Sequence, residues 1–305
     1  MITSTLGVAI VAPGGYSPDT GALPRAIALL EARGCLVHNY FDPGQLHQRF
    51  GGTDDARLQQ FNAALADPDV QVILVLRGQY GMTRLLDRID YRALADSGKI
   101  VVGFSDVTAL HMALYAKTGA LSYAGPMAAG DFGAPAPVDF TLNDFWACLA
   151  GPTHTVAGAG AGNPDVDVRG RGWGGNLAMV MSLMGTPYVP QIDGGILFFE
   201  DIAEHPYRVE RMLLQLHQSG VLARQKALVL GDFSGYRLTP ADNGYDFEAM
   251  LAYVRDALPI PVLTGLEFGH GARRVTLPFG AQGHLVCAGG QFSLLLSDYP
   301  TVTLA

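Results

Sequence analysis

Three nearly unbroken apolar runs limit what this chain can fold into more than any other feature: residues 6–12, residues 70–76 (Val-Gln-Val-Ile-Leu-Val-Leu) and residues 100–104 (Ile-Val-Val-Gly-Phe). A strand with one wet face alternates apolar and polar residues, whereas a strand apolar on both faces must be covered on both. Between these runs lie stretches with helical character. Residues 22–33 place Leu23, Ile27 and Leu30 at helical spacing, with Pro24 in the first turn and Gly34 as a stop. Residues 54–66 open on two acids, and residues 107–117 follow the third apolar run directly. A short strand is expected at 35–40. Such alternation predicts a parallel sheet flanked by helices, with ligands beyond the carboxyl ends of its strands.

The 305 residues favour two domains or one large α/β unit. Hydrophobic residues make up 49% and charged residues 16%, a balance that excludes wholesale disorder. The formal charge of −8 argues against nucleic acid and anionic membrane as partners. Cys35, Cys148 and Cys287 are scattered, without CxxC spacing, and fit a reducing compartment. The first residues lack a basic region and a long apolar core, so they read as a first buried strand and not as a signal peptide. No apolar run is long enough to span a membrane. The expectation is a soluble, cytoplasmic protein.

Residues 151–164 (Gly-Pro-Thr-His-Thr-Val-Ala-Gly-Ala-Gly-Ala-Gly-Asn-Pro) are small and without periodicity, and read as a linker between domains 1–150 and 165–305. Beyond it, strands are expected at 195–199 and 227–230 and helices at 176–184, 206–218 and 247–257. The tail from 275 to 304 has the look of several short strands joined by glycine-rich turns.

Gly103-Phe-Ser105 ends the third apolar run and leads into a helix. A serine at such a corner is lifted clear of the strand, with helix N-terminal N–H groups at hand to receive an oxyanion, which makes Ser105 the expected nucleophile. The elbow pattern is partial, since Val107 stands where a second glycine is usual, and the plain alternative is an N-cap serine. Glu200 closes a strongly apolar strand, a costly place for a carboxylate without a partner; Asp201 and Glu204 are its neighbours. His270 lies between Gly269 and Gly271, which lets the backbone expose the imidazole. Of the eight histidines, His284 is almost as well placed, while His111 reads as a helix residue and His205 and His217 as exposed ones.

The loop Arg77-Gly-Gln-Tyr-Gly81, at a strand end, has backbone N–H groups to offer an oxyanion. Gly170-Arg-Gly-Trp-Gly-Gly175 satisfies G-x-G-x-x-G, but the setting suits a glycine-rich approach to a helix beside the interdomain cleft better than a dinucleotide site. No HExxH, paired CxxC or EF-hand pattern is present, and no metal or other cofactor is expected. Ser, acid and His in this order suggest a hydrolytic triad, with an α/β esterase as the generic reading. That reading expects all three residues on one sheet, whereas here serine and its partners fall in different expected domains.

Gly103-Phe-Ser-Asp106, Leu76-Arg-Gly-Gln-Tyr-Gly81, Gly174-Gly-Asn-Leu177, Leu197-Phe-Phe-Glu-Asp201 and Phe268-Gly-His-Gly271, in this order and over essentially the whole chain, resemble the LD-carboxypeptidase family of serine peptidases. The resemblance implies an N-terminal Rossmann-like parallel-sheet domain, a C-terminal β-rich α+β domain and a homodimer. It implies a triad of Ser105, Glu200 and His270, with the backbone N–H groups of Gly78 and Asp106 as oxyanion donors. It also implies cytoplasmic release of the terminal D-Ala from the murein tetrapeptide. The family usually has a second glycine where this chain has Gln79, a change expected to alter the pocket. Asn176 is the expected substrate contact. The alternative within the family is the microcin-immunity branch, which cleaves aminoacyl-nucleotide analogues; its members tend to be longer and carry an aromatic loop.

Overall fold

The apolar runs do pair with one another. The computed structural model describes residues 5–303; residues 1–4 and 304–305, at the outer ends of the first and last expected strands, lie outside it. From the N-terminus come β1 (Gly7–Val11), α1 (Ala22–Ala32), β2 (Leu36–Asn39), α2 (Asp54–Ala66), β3 (Val72–Val75), α3 (Tyr91–Asp96), β4 (Ile100–Gly103), α4 (Thr108–Thr118), β5 (Ser122–Ala124) and α5 (Asp139–Ala150). β2, β1, β3, β4 and β5 lie side by side in that order, all parallel. Every residue of β1, β3 and β4 is buried, as strands covered on both faces must be. Local chemistry sets several ends: the Thr53 hydroxyl caps α2 by accepting from the Ala56 N–H, and α4 stops where Gly119 turns left-handed at φ 74°.

The second half contains β6 (Thr153–Ala159), β7 (Val166–Asn176), α6 (Leu177–Leu183), β8 (Ile196–Ile202), α7 (Pro206–Gln218), β9 (Ala227–Ser234), α8 (Phe247–Ala257), β10 (Val262–Thr264), β11 (Leu277–Phe279), β12 (Gln282–Ala288) and β13 (Gln291–Ser297). Seven strands form the second sheet in the order β10-β9-β8-β7-β12-β13-β6. Its β7–β10 half is parallel, with α6, α7 and α8 as crossovers, and its other half is antiparallel. The chain is thus a mixed α/β fold with a parallel-strand sheet and a second, mixed sheet.

Two segments depart from the expected organisation. Residues 151–164 are not a free linker, because β6 occupies their middle and pairs along its length with β13. His154 and Val156 point inward there while Thr153 and Thr155 are exposed, but the small residues that follow hide this alternation. The tail is also shared between the sheets: β11 pairs antiparallel with β5, Leu277 opposite Ala124 and Phe279 opposite Ser122. The first sheet therefore closes on a strand from the far end of the chain.

α4 fixes the relation between the halves. Its residues from Thr108 to Leu114 are all buried, a helix enclosed on every side and not a surface helix with one apolar face. It packs against β5 on one side and against β7 and α6 on the other. The end of β7 comes close enough that a Cβ on Gly175 would sit 2.5 Å from Thr108 Oγ1, and the Asn176 N–H donates to that oxygen at 3.0 Å. The last glycine of the G-x-G-x-x-G motif serves this approach of strand to helix, whereas Gly170 lies against the Gly194 carbonyl.

Candidate functional site

The carboxyl end of β4 is built to turn sharply. Phe104 is fully extended, and Ser105 sits at φ 63° at the start of a short 3-10 turn that leads into α4. Left-handed backbone at a non-glycine residue costs on the order of 1–3 kcal/mol and persists only where the surroundings hold it. His111 provides part of that hold. Its Nε2–H donates to the Gly103 carbonyl at 2.8 Å, and its Nδ1 accepts from the Ser122 hydroxyl at 2.8 Å. Complete burial brings its pKa down to about 4, so the ring is neutral. The Asp106 carboxylate contributes too, accepting the Met82 N–H at 2.7 Å and so tying the turn to the end of the 77–81 loop.

His270 reaches Ser105 from the loop between β10 and β11. Gly269, at φ 133°, carries the chain so close to β8 that a Cβ there would lie 2.9 Å from Glu200 Cβ, which only glycine allows. The Nδ1–H of His270 donates to Glu200 Oε2 at 2.7 Å, leaving Nε2 to accept from Ser105 Oγ at 3.1 Å. Glu200 is fully buried, whereas the His270 side chain is 19% exposed, so an incoming group meets the imidazole and not the carboxylate. Burial opposes charging of His270, but the hydrogen bond and charge of Glu200, with the charges of Asp201 and Asp232, outweigh it and raise its pKa. A hydroxyl, an imidazole and a carboxylate in this line can move a proton from oxygen to nitrogen and hold the resulting positive charge.

Asn176, the expected substrate contact, is hydrogen-bonded into the group around Glu200. It is buried; its side-chain amide donates to Glu200 Oε1 at 3.2 Å and Asp201 Oδ1 at 2.9 Å, and its carbonyl oxygen accepts the Met179 N–H at 3.0 Å. With its polar atoms turned inward, it orients Glu200 and caps α6. Asp201 is pushed up to about 6 by burial, against the pull of the Ala178 N–H. His284 is not part of this group; it pairs with Asp167 at 2.8 Å across the neighbouring strands β12 and β7 of the second sheet. His205, expected to be exposed, is half-buried as the N-cap of α7 and lies 3.1 Å from Asp242.

Gly78 lies directly against Ser105: a Cβ there would fall 2.9 Å from Ser105 Cβ and 3.1 Å from its Oγ. Its own carbonyl accepts the Gly15 N–H at 2.8 Å, which stacks the 77–81 loop on the turn after β1. Gln79, at φ 62°, lays its side chain against Gly15, where an added Cβ would lie 2.7 Å from Gln79 Oε1. Below this loop the fully buried Arg57 donates to the Gly81 carbonyl at 2.9 Å and to that of Pro13. Sequence reading missed Arg57 and the buried pair Arg274–Asp131, which no motif marks, and it singled out Asp106 for its backbone N–H and not for its carboxylate. Among the described residues no group of three or more His, Cys, Asp or Glu is arranged to hold a metal ion.

Comparison with known proteins agrees along the chain. The LD-carboxypeptidase N-terminal domain matches residues 8–125, and the LD-carboxypeptidase C-terminal domain matches residues 169–285. The crystal structure of muramoyltetrapeptide carboxypeptidase from Oxalobacter formigenes superposes with a TM-score of 0.93 at 52% identity, covering 97% of this chain and 100% of that one. A putative carboxypeptidase of Streptomyces coelicolor is 36% identical over 94% of this chain and 92% of its own length. The microcin C7 self-immunity protein MccF of Escherichia coli is 29% identical over 85% of this chain and 83% of its own. Two family domains in order, with relatives that match nearly from end to end, mean that this chain belongs to the LD-carboxypeptidase family.

Proposed function

We propose that this protein is a serine LD-carboxypeptidase that releases the terminal D-Ala of the murein tetrapeptide. The observation that carries the proposal is the line from Ser105 Oγ through His270 to Glu200, with contacts of 3.1 and 2.7 Å, at a serine held in left-handed backbone. His270 takes the Ser105 proton as the oxygen attacks the carbonyl of the diaminoacyl residue. Glu200 keeps the ring in the Nδ1–H tautomer and stabilises the imidazolium. The oxyanion faces the backbone N–H groups of Gly78 and Asp106. His270 then gives its proton to the leaving D-Ala amine, and water releases the acyl-enzyme. The name of the Oxalobacter formigenes relative and the 52% identity to it favour the murein peptide over other acyl substrates. The family resemblance extends the reading to a cytoplasmic homodimer in peptidoglycan recycling, and the three buried free cysteines suit that compartment.

Purified protein is incubated with L-Ala-γ-D-Glu-meso-diaminopimelate-D-Ala and free D-Ala is followed by mass spectrometry, with Ser105→Ala as control and an aminoacyl sulfamoyl adenosine and a simple acyl ester in parallel. Release of D-Ala by the wild type alone is expected. Cleavage of the adenosine compound alone would place the chain with MccF, and cleavage of the ester alone would make it a general esterase.

A further inference from the structure

In the proposed triad Ser105 follows β4 of the first sheet, Glu200 lies on β8 of the second, and His270 sits in the loop that crosses from β10 of the second sheet to β11 of the first. A contact of 3.1 Å between two such halves needs something to set it. Arg274, four residues beyond His270, is 7% exposed and touches both sides of that contact. Its Nε–H donates to the Gly269 carbonyl at 3.1 Å and an Nη2–H donates to the Gly271 carbonyl at 3.0 Å, so the carbonyls of both glycines that flank His270 hang from one guanidinium. Its Nη1 pairs with the carboxylate of Asp131, in the π-helical turn of residues 128–132 beyond β5. Asp131 is anchored in turn by the Met127 N–H at 2.7 Å, and the Arg274 backbone N–H donates to Thr141 of α5 at 3.0 Å.

The same guanidinium lies 4.4 Å from the centre of the Phe104 ring. Phe104 directly precedes Ser105, and its ring meets the His270 imidazole edge to face with centroids 5.0 Å apart. Burial pulls the Arg274 pKa down to about 10, so it remains charged at neutral pH. A buried ion pair contributes little net stability compared with apolar packing of the same volume, so stability alone is a poor account of this one. Its fork of N–H groups, however, matches two carbonyls and a carboxylate at once, which a lysine ammonium on a flexible stem does not.

We propose that Arg274, seated on Asp131, is a positioning residue that sets His270 against Ser105 across the two halves of the molecule. The inference rests on the Ser105–His270–Glu200 reading above. The test compares wild type, Ser105→Ala, Arg274→Lys and Asp131→Asn in tetrapeptide turnover and in the rate at which a small fluorophosphonate labels Ser105. Labelling needs the imidazole but not the peptide subsites. Arg274→Lys keeps a cation for Asp131 but loses the two-carbonyl grip. It should stay folded by circular dichroism, keep KM within about twofold and lose about 100-fold in kcat, the loss expected from a displacement of about 1 Å at the reacting groups. Labelling should slow in parallel, and Asp131→Asn should shift both rates in the same direction by about tenfold.

A folded Arg274→Lys with near-wild-type kcat would overturn the proposal. So would a raised KM with kcat kept, which would make Arg274 a binding residue. Loss of folding in both variants would overturn it too, since the pair would then support the fold at large. Activity retained by Ser105→Ala would instead remove the triad reading itself.

Discussion

Glu200→Gln is the most informative single change, because the surrounding hydrogen bonds dictate how the new amide must point. Glu200 Oε1 accepts the Asn176 amide at 3.2 Å and Oε2 accepts His270 Nδ1–H at 2.7 Å. In the variant the position facing Asn176 must remain a carbonyl oxygen, so the NH₂ group falls opposite His270. It donates to Nδ1 and forces the ring proton onto Nε2, where it faces Ser105 and blocks proton transfer. The charge is lost as well. Opposite charges about 4 Å apart at an effective dielectric of 20 interact by about 4 kcal/mol, or about a thousandfold in rate. With the tautomer reversed, the loss should approach the roughly 10⁴-fold seen when a triad carboxylate becomes an amide. D-Ala release across pH reads both effects. In the proposed triad protonated His270 cannot accept the serine proton, so wild-type kcat/KM should fall as pH drops through the raised pKa. Without the Glu200 charge, the residual acid limb should move to lower pH. A loss under about tenfold, or an unmoved limb in a folded variant, would refute the reasoning.

Three further outcomes are expected. Ser105→Gly relieves the left-handed strain at φ 63° and should raise stability by about 1 kcal/mol in urea melts while abolishing turnover; a destabilised variant would show that the corner is not strained. Gly78→Ala drives a methyl against Ser105, with its Cβ 2.9 Å from the serine Cβ, and should cost about 100-fold in kcat with folding intact; normal turnover would exclude Gly78 from the oxyanion site. Burial pushes Asp106 up to about 7 from 3.8, against the Met82 N–H and the Arg57 charge. The native state then holds a proton that the unfolded chain has released, so this group lowers stability as pH rises through that window. Asp106→Asn removes the titration and should gain about 2 kcal/mol on the wild type between pH 5 and pH 8. An identical difference at both pH values would show that Asp106 does not titrate in that range.

The two unexpected strand placements share a cause. β6 is written in small residues whose inward set is His154 and Val156, and it exists as a strand because β13 lies alongside it. β11 returns to the first sheet because Leu277 and Phe279 find β5, more than 150 residues earlier in the chain. Neither pairing is visible in a window of sequence, since an edge strand takes its identity from its neighbour.

The positions of Ser105, Glu200 and His270 could be read because each carries a local mark: a polar corner after a buried strand, a carboxylate closing an apolar run, an imidazole between two glycines. Buried parallel strands and their helices were legible for the same reason, since periodicity, caps and stops are properties of a few neighbouring residues. Asn176 carried a mark as well, but it signalled a helix start and not the direction of its amide. Arg274 looks no different from Arg273 beside it, yet Arg273 pairs with Glu267 at the surface while Arg274 is buried on Asp131. Which of two adjacent arginines turns inward depends on a carboxylate 143 residues away and on two carbonyls that face it only after both sheets have formed. Backbone periodicity is local, whereas the satisfaction of buried charges and carbonyls is settled by packing, and only the folded molecule shows it.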